Sequence, residues 1–311
     1  MAGLKRIIWH WKQFDLYSSL HELCTRFGHN VHVSGLLTQD STSSPAEQGC
    51  SFLGIPRISR NRFDHYRSCI SLLQNQYRDR GFELKISPGG IEAFLAGLEG
   101  RPERFEIWHY PHLGNEERAF ISALETKKAD NISLKALKPN TLIEEKELPF
   151  ELDSLPETFS RFRKIIETRP YTAYNFSRYP YPFPPINSVG RQRLENYVFI
   201  DKKIVTYKQT RNGLGPGDYS SKLSKWLAVH AIRATEIGSA ILQFEDKYIK
   251  NDSTYWLLFE LLWRDYFHFL HKKNDTLLFI PSGNKGCRSP GITDSIHWTF
   301  TGSNYQMTFS Y

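Results

Sequence analysis

The first part of the chain repeats a strand-then-helix pattern, and this alternation constrains the fold more than any other feature. Short apolar runs typical of buried strands occur at residues 7–9, 31–37, 82–86 and 105–109. Stretches that favour amphipathic helices lie at residues 16–26, 60–80 and 90–98. Strands that alternate with helices at this spacing form a parallel sheet covered by helices on both faces. We therefore predict an α/β, doubly wound parallel-sheet domain over residues 1–140.

A different kind of sequence follows a segment rich in tyrosine, proline and phenylalanine at residues 179–185. Proline fixes the backbone φ angle and lacks an amide donor, so this segment disfavours helix and central strand. We assign it to an interdomain linker over residues 141–200. Apolar spacing at residues 219–244 and 252–272 then favours helices. The sequence predicts an all-α domain over residues 201–311.

The helix expected at residues 252–272 carries charged groups within an otherwise apolar run. Asp252 or Ser253 is predicted to be its N-cap, because either side chain can accept amide hydrogen bonds. Glu260 precedes Trp263 and Arg264 by three and four residues, so all three share one face. A charged group in a mostly buried helix needs a partner.

Two interpretations of this face remain open from the residues alone. In one, Glu260 and Arg264 form an ion pair between successive helical turns, with an indole packed beside them. In the other, Trp256, Glu260, Trp263 and Phe267 line a cavity for an aromatic ligand. There, a carboxylate would bind the ligand's ring edge and an indole would stack on its face.

Bulk properties limit the possible partners and the compartment. A net charge of +7 favours an anionic partner, whether nucleic acid, phosphate-bearing cofactor or membrane surface, without choosing among them. The four cysteines lack the spacing of a zinc site or a disulfide scaffold, which fits a reducing cytoplasm. The apolar stretch near the N-terminus is too short for a signal peptide or a membrane span, so we expect no membrane partner.

Three segments carry a resemblance to a known family. They read YKQTRNG at residues 207–213, YSSKLSKWL at 219–227 and NDSTYWLLFELLWRDYF at 251–267. Together they resemble the flavin-domain signature of DASH-type cryptochromes in the cryptochrome/photolyase family, and the similarity extends over residues 148–269. The resemblance implies FAD as cofactor and an all-α flavin-binding domain.

The resemblance also implies roles for individual residues. The cofactor-binding set is Tyr207 with Ser220, Ser221, Lys222, Leu223, Ser224 and Arg264. The serine run stands ahead of a helix, where hydroxyls and free amides can bind a diphosphate, although simple helix capping would explain it too. Residues in the family that match Glu260 and Trp263 are catalytic and face a flipped DNA lesion. Those that match Arg211 and Arg264 hold phosphate groups of DNA or flavin.

By this resemblance, the chain is a monomeric lyase of the deoxyribodipyrimidine photolyase type, in which reduced flavin and light split cyclobutane pyrimidine dimers. Single-stranded DNA is the expected partner, because extruding a base from a duplex costs a few kcal/mol. Two alternatives stay open: a blue-light receptor without repair activity, and a nucleic-acid-binding remnant that holds no flavin.

The sequence departs from the family at two places. The first-strand run Trp9-His10-Trp11-Lys12 replaces one that usually resembles Trp-Phe-Arg-Asn, so a second antenna chromophore such as folate is doubtful. Beyond Lys273 the helical pattern fades and the chain stops at Tyr311, before roughly the last third of a family member. We therefore expect an incomplete flavin-binding domain, as a truncated or frameshifted gene would produce, and repair activity that is impaired by the truncation.

Overall fold

The computed structural model describes residues 3–29, 31–39, 58–178, 189–213, 219–275, 297–301 and 304–308. In the first part, strands and helices alternate. The strands are β1 (Leu4–Trp9), β2 (Val33–Leu37), β3 (Leu84–Ile86), β4 (Arg104–His109) and β5 (Ile132–Ala136). The helices between them are α1 (Leu16–Phe27), α2 (Arg60–Arg80), α3 (Ile91–Ala96) and α4 (Asn115–Lys127).

The five strands form one sheet in the order β3-β2-β1-β4-β5. Every neighbouring pair is parallel, with Ile7 of β1 opposite Ser34 of β2 and Ile107 of β4. The chain adds strands first on one side of β1 and then on the other, and this reversal of strand order is typical of a doubly wound sheet. The predicted α/β fold is confirmed, and α4 and β5 extend it by one unit that the sequence analysis did not identify.

Strand β1 sends side chains to two separate hydrophobic cores, because successive residues of a strand point to opposite faces. Ile7 and Trp9 pack with Leu36 and Ile107 in the smaller core. Ile8 belongs to the larger core, which continues into the second half of the chain and includes residues as distant as Phe269. The sheet and the later helices are therefore joined by one hydrophobic cluster.

The second part is helical, as predicted. It contains α5 (Phe159–Ile166), α6 (Val189–Glu195) with a π-helical turn (Asn196–Ile200), α7 (Tyr207–Thr210), α8 (Ser224–Ala228), α9 (Ala234–Lys247) and α10 (Asp252–Asn274). The broad helical pattern at 219–244 divides into α8 and α9, since His230 has a left-handed φ of 56° that interrupts a helix. An antiparallel hairpin of β6 (His297–Thr301) and β7 (Asn304–Thr308) follows, and it corrects the prediction that residues 201–311 are all helical. Among the described helices, none has the length and apolarity to span a bilayer.

The N-cap of α10 corrects the sequence prediction. Asn251, and neither Asp252 nor Ser253, occupies this position, with extended backbone at φ −147°. Its side-chain Oδ1 accepts the backbone N–H groups of Ser253 at 2.8 Å and Thr254 at 3.0 Å. Asparagine is among the best N-caps, and here it satisfies two donors at the helix start.

The stretch assigned to a linker contains ordered structure. Helices α5 and α6 lie within it, and two 3₁₀ turns, Tyr171–Ala173 and Asn175–Arg178, bury Tyr174 and Phe176 in the larger core. The proline-rich residues 179–188 lie outside the described residues. The division of the chain at residues 140 and 200 stays a prediction.

A buried group of three charges joins the sheet domain to the helices. Arg191 of α6 donates to Asp15, just before α1, at 2.8 Å, and to Glu236 of α9 at 3.0 Å. All three side chains are at most 3% exposed. Burial raises the pKa of Glu236, while the guanidinium opposes this rise. Each charge has a partner in a place where an unpaired charge would be severely destabilising.

Asp265, in the middle of α10, is fully buried and has partners in the segment after β5. Its carboxylate accepts the backbone N–H groups of Leu142 at 3.0 Å and Ile143 at 2.8 Å. Burial raises the pKa of Asp265 to about 7, against the lowering effect of these hydrogen bonds and of Arg264. The carboxylate thereby fixes the segment after β5 to α10.

Candidate functional site

The short helix α7 packs against the first half of α10, and charged side chains pair between the two helices. Lys208 of α7 contacts Asp252 of α10 at 2.9 Å. Arg211, three residues after Lys208, donates to Glu260, which lies about two helical turns after Asp252 on α10. Trp256 lies between these two pairs, with its ring 4.8 Å from the Lys208 ammonium and 5.3 Å from the Arg211 guanidinium.

The partner of Glu260 corrects one of the two interpretations drawn from the sequence. Glu260 pairs with Arg211 rather than with Arg264. Arg264 instead donates to the backbone carbonyl of Asn140, on the side of α10 that faces the sheet domain. Burial lowers the pKa of Arg264, and the neighbouring Asp265 carboxylate opposes this. The predicted ion pair between Glu260 and Arg264 was therefore wrong, and the two residues contact different partners.

Tyr207, at the start of α7, is close enough to Arg211 and Glu260 for both charges to affect its phenol. Its side chain is buried and meets Tyr197 edge to face, with ring centroids 6.4 Å apart. Burial raises the pKa of Tyr207 to about 12, the negative charge of Glu260 adds to this rise, and Arg211 opposes it. The phenol is therefore neutral at physiological pH and available as a hydrogen-bond donor.

Trp263 is half-buried and forms a column of rings with residues from two helices. Its indole stacks on Phe159, the first residue of α5, at 3.7 Å between centroids with 16° between the planes. Phe267, one turn further along α10, stacks on it more loosely at 5.4 Å and is 56% exposed. The column fixes the indole plane and leaves its outer end open to solvent.

A polar network holds α5 in register with α10. Glu167, immediately after α5, accepts from the Tyr255 hydroxyl at 2.7 Å and the Tyr171 hydroxyl at 2.9 Å. Arg163 donates to the Tyr255 oxygen at 3.0 Å. These contacts orient α5, and therefore the Phe159 ring on which Trp263 rests.

The serine run is the third component predicted by the sequence. Ser221 and Leu223 are buried, whereas Ser224 and Lys222 are exposed, the latter with a left-handed φ of 56°. Arg193 of α6 donates to the backbone carbonyls of Ser220 at 3.2 Å and Ser221 at 3.0 Å. Ser224 begins α8, a helix of five residues. The run is thus a loop held in place through its carbonyls.

The donors of this loop suit an anionic group such as a diphosphate. Within the described ranges, the hydroxyls of Ser220 and Ser224 have no hydrogen-bond partner, and the Lys222 ammonium forms no ion pair. The buried Trp256 indole N–H likewise has no partner among the described residues. Free hydroxyl, ammonium and indole donors are groups that bind phosphate and carbonyl oxygens. The residues present therefore fit the predicted cofactor.

The structure brings some predicted site residues together and separates others. Tyr207, Arg211 and Glu260 are in mutual proximity, and Trp263 shares the α10 face with Glu260. Arg264, one turn beyond Glu260, instead contacts the backbone carbonyl of Asn140. Sequence reasoning missed Lys208 as a partner of Trp256 and Phe159 as the support of Trp263. Helical spacing at Asp252, Trp256 and Glu260 was the available signal for the first, whereas Phe159 gave no signal at all.

Comparisons with known proteins extend this geometric description. A cryptochrome DASH from Gloeobacter violaceus is 30% identical over 323 residues, which cover 91% of this chain and 63% of that protein. A cryptochrome DASH from Synechocystis sp. is 33% identical over 324 residues, with 93% and 65% covered. No model of a protein family matches the chain.

The fold has a counterpart among solved structures. The crystal structure of a Synechocystis sp. PCC6803 cryptochrome superposes with a TM-score of 0.74 at 24% sequence identity, covering 91% of this chain and 64% of that one. The chain thus spans a little under two thirds of the length of the relatives described here. The sequence matches identify the chain as a relative of the DASH cryptochromes over most of its length. The superposition shows that the described residues have the fold of a solved cryptochrome.

Proposed function

We propose that this chain forms part of a photolyase-like flavoprotein that binds FAD and single-stranded DNA containing cyclobutane pyrimidine dimers. The observation that carries the proposal is the face shared by α7 and α10. It combines a cation, a carboxylate and a supported indole, all partly exposed, in Arg211, Glu260 and Trp263. Phosphate, base edge and base face are the three parts of a nucleotide that such groups recognise.

For the cofactor, the proposal assigns Tyr207 and the loop Ser220–Ser224. The free hydroxyls of Ser220 and Ser224 and the exposed Lys222 would bind the diphosphate, and the neutral Tyr207 phenol would donate a hydrogen bond beside it. Arg264 was also assigned to this set, but its contact with Asn140 makes it the weakest member. When bound, a reduced flavin supplies the electron that opens the cyclobutane ring.

For the DNA, each residue of the shared face has a distinct task. Arg211 binds a backbone phosphate, and Glu260 accepts hydrogen bonds from donor groups on the base edge. The extruded lesion stacks on Trp263, where it takes the place of the loosely stacked, exposed Phe267 ring. Alanine substitution of such a stacking residue weakens binding by about 1 to 3 kcal/mol per base. The protein thereby acts as a lyase on a dimer that it has removed from the base stack.

The test is a titration of the purified chain with FAD, followed by blue-light irradiation in the presence of a single-stranded oligonucleotide that contains one thymine dimer. We expect saturable uptake of FAD, measured by the visible flavin absorbance that co-elutes with the protein. Irradiation of the reduced complex should restore the undamaged oligonucleotide, measured by chromatography. A duplex with the same dimer should bind no better, since its base must first be extruded.

Two controls make this test decisive. The variant Tyr248→Ala removes an exposed aromatic at the end of α9, away from the proposed groups, and should leave uptake and splitting unchanged. Glu260→Gln should retain FAD but lose dimer splitting. Absence of FAD uptake by the folded wild-type chain would refute the cofactor assignment. Equal splitting by Glu260→Gln and wild type would refute the assignment of the carboxylate.

A further inference from the structure

We infer that the Arg211–Glu260 ion pair determines specificity: it withholds Arg211 from the phosphates of undamaged DNA until a base edge takes over Glu260. The inference rests on the proposed function and adds a coupling between two groups that were assigned there separately. Binding of phosphate and recognition of the base then become one event, because Arg211 cannot bind phosphate and Glu260 cannot bind a base while they remain paired with each other.

The pair belongs to a regular arrangement between two helices. On α10, Asp252, Trp256 and Glu260 follow at intervals of four residues and share one face. Lys208 of α7 and Arg211, the C-cap residue of that helix, are three residues apart and face them. Each cation meets one carboxylate and flanks the same indole. The rim of the site is thus locally neutral, although the whole chain carries a net charge of +7.

The two pairs differ in how strongly they can hold their cations. The Asp252 side chain is 83% exposed, so water and salt screen its contact with Lys208. In the other pair, Arg211 is 27% and Glu260 32% exposed, and the Trp256 ring covers one side of the guanidinium. A half-buried pair is screened less. Lys208 is therefore easily released, whereas Arg211 is held.

The consequence for binding follows from charge. A phosphate that approaches Arg211 also approaches the Glu260 carboxylate, which repels it unless that carboxylate receives other hydrogen bonds. The donor-bearing edge of a base held out of the stack can supply these bonds. A continuous undamaged strand keeps its bases stacked and does not. Glu260 therefore lowers the affinity for undamaged DNA and leaves the affinity for an extruded lesion intact.

The experiment measures the affinity of full-length chain variants for an undamaged single-stranded oligonucleotide by fluorescence anisotropy across a range of salt concentrations. Glu260→Gln should bind about fivefold more tightly than wild type, the effect of one released charge pair. The plot of the logarithm of its binding constant against the logarithm of salt concentration should become steeper by about 0.7. This change corresponds to one additional phosphate contact on a single strand. Asp252→Asn, the matched control, should change affinity by less than about twofold, since its pair is already screened.

A double-mutant cycle separates this coupling from the mere loss of a negative charge. Arg211→Gln should weaken binding little in the wild-type background, and it should abolish the gain in the Glu260→Gln background. A gain that persists without Arg211, or no gain at all, overturns the inference. Failure of wild type to bind the same oligonucleotide with one thymine dimer would refute the proposed function, whereas binding of undamaged DNA gained by Glu260→Gln would still support the coupling. Loss of binding in both proteins contradicts both proposals.

Discussion

Among the arginines that pair with carboxylates, Arg191 and Arg211 have sharply different surroundings. Arg191 is 3% exposed and binds two carboxylates, Asp15 and Glu236, that come from distant parts of the chain. Arg211 is 27% exposed and binds one, Glu260, on a neighbouring helix. The first group lies between the sheet and the helices, and the second at the edge of the candidate site.

The comparison separates charge used for structure from charge used for binding. Opening the Arg191 group would leave buried charges without partners, which is strongly destabilising. Opening the Arg211 pair exposes both groups to water, which solvates them at small cost. A ligand can therefore compete for Arg211 but not for Arg191. Exposure, more than residue type, therefore favours Arg211 for the proposed binding role.

The largest expected effect comes from breaking the buried group. Arg191→Met should lower the free energy of unfolding by about 3 to 5 kcal/mol, because two buried carboxylates lose their counterion. Arg211→Met makes the same chemical change at the exposed pair and should lower it by no more than about 1 kcal/mol. Urea unfolding followed by circular dichroism measures both values. Equal losses in the two variants would remove the distinction between them.

A smaller, pH-dependent effect is expected at Asp265. Its pKa is raised in the folded protein, from 3.8 to about 7, so the folded state binds its proton more tightly than the unfolded state. The stability that this group contributes is thus complete below about pH 4 and is lost as the pH rises towards 7. The wild type should lose stability relative to Asp265→Asn across this window.

The measurement for Asp265 is the difference between the two unfolding free energies, taken at successive pH values. Burial also raises the pKa of Glu236 and lowers the pKa of His112 to about 4. Both groups titrate in wild type and in the variant, so their contributions cancel in the difference. A difference that stays constant from pH 4 to pH 7 would show that Asp265 is ionised throughout.

Much of the fold could be predicted from the sequence because it depends on local patterns. Alternating apolar runs specified four of the five parallel strands, and the long apolar run specified α10 to within two residues. The missed strand β5, Ile132–Ala136, has the sequence ISLKA, in which only part of the run is apolar. The N-cap at Asn251 was missed because asparagine, aspartate and serine compete at adjacent positions with similar capping strength.

The candidate site was less predictable, because its contacts join residues distant in sequence. Spacing along α10 placed Glu260 with Trp263, but it also suggested Arg264 as partner. The choice of Arg211 depends on how α7 packs against α10, and the choice of Asn140 depends on the segment after β5. No periodicity within one helix contains this information.

The most direct test of the candidate site concerns Trp263. Because the indole is only half-buried on Phe159, Trp263→Ala should destabilise the protein by less than the roughly 3 to 5 kcal/mol of a fully buried tryptophan. Trp263→Phe retains an aromatic ring on Phe159 and serves as the matched control.

The decisive measurement is the affinity of these two variants for a single-stranded oligonucleotide containing one thymine dimer, compared with wild type at one salt concentration. If the α7–α10 face binds the lesion, Trp263→Ala should weaken binding by about 1 to 3 kcal/mol, while Trp263→Phe retains most of the affinity. Affinity equal to wild type in a folded Trp263→Ala protein would contradict the assignment of this face as the DNA-binding site.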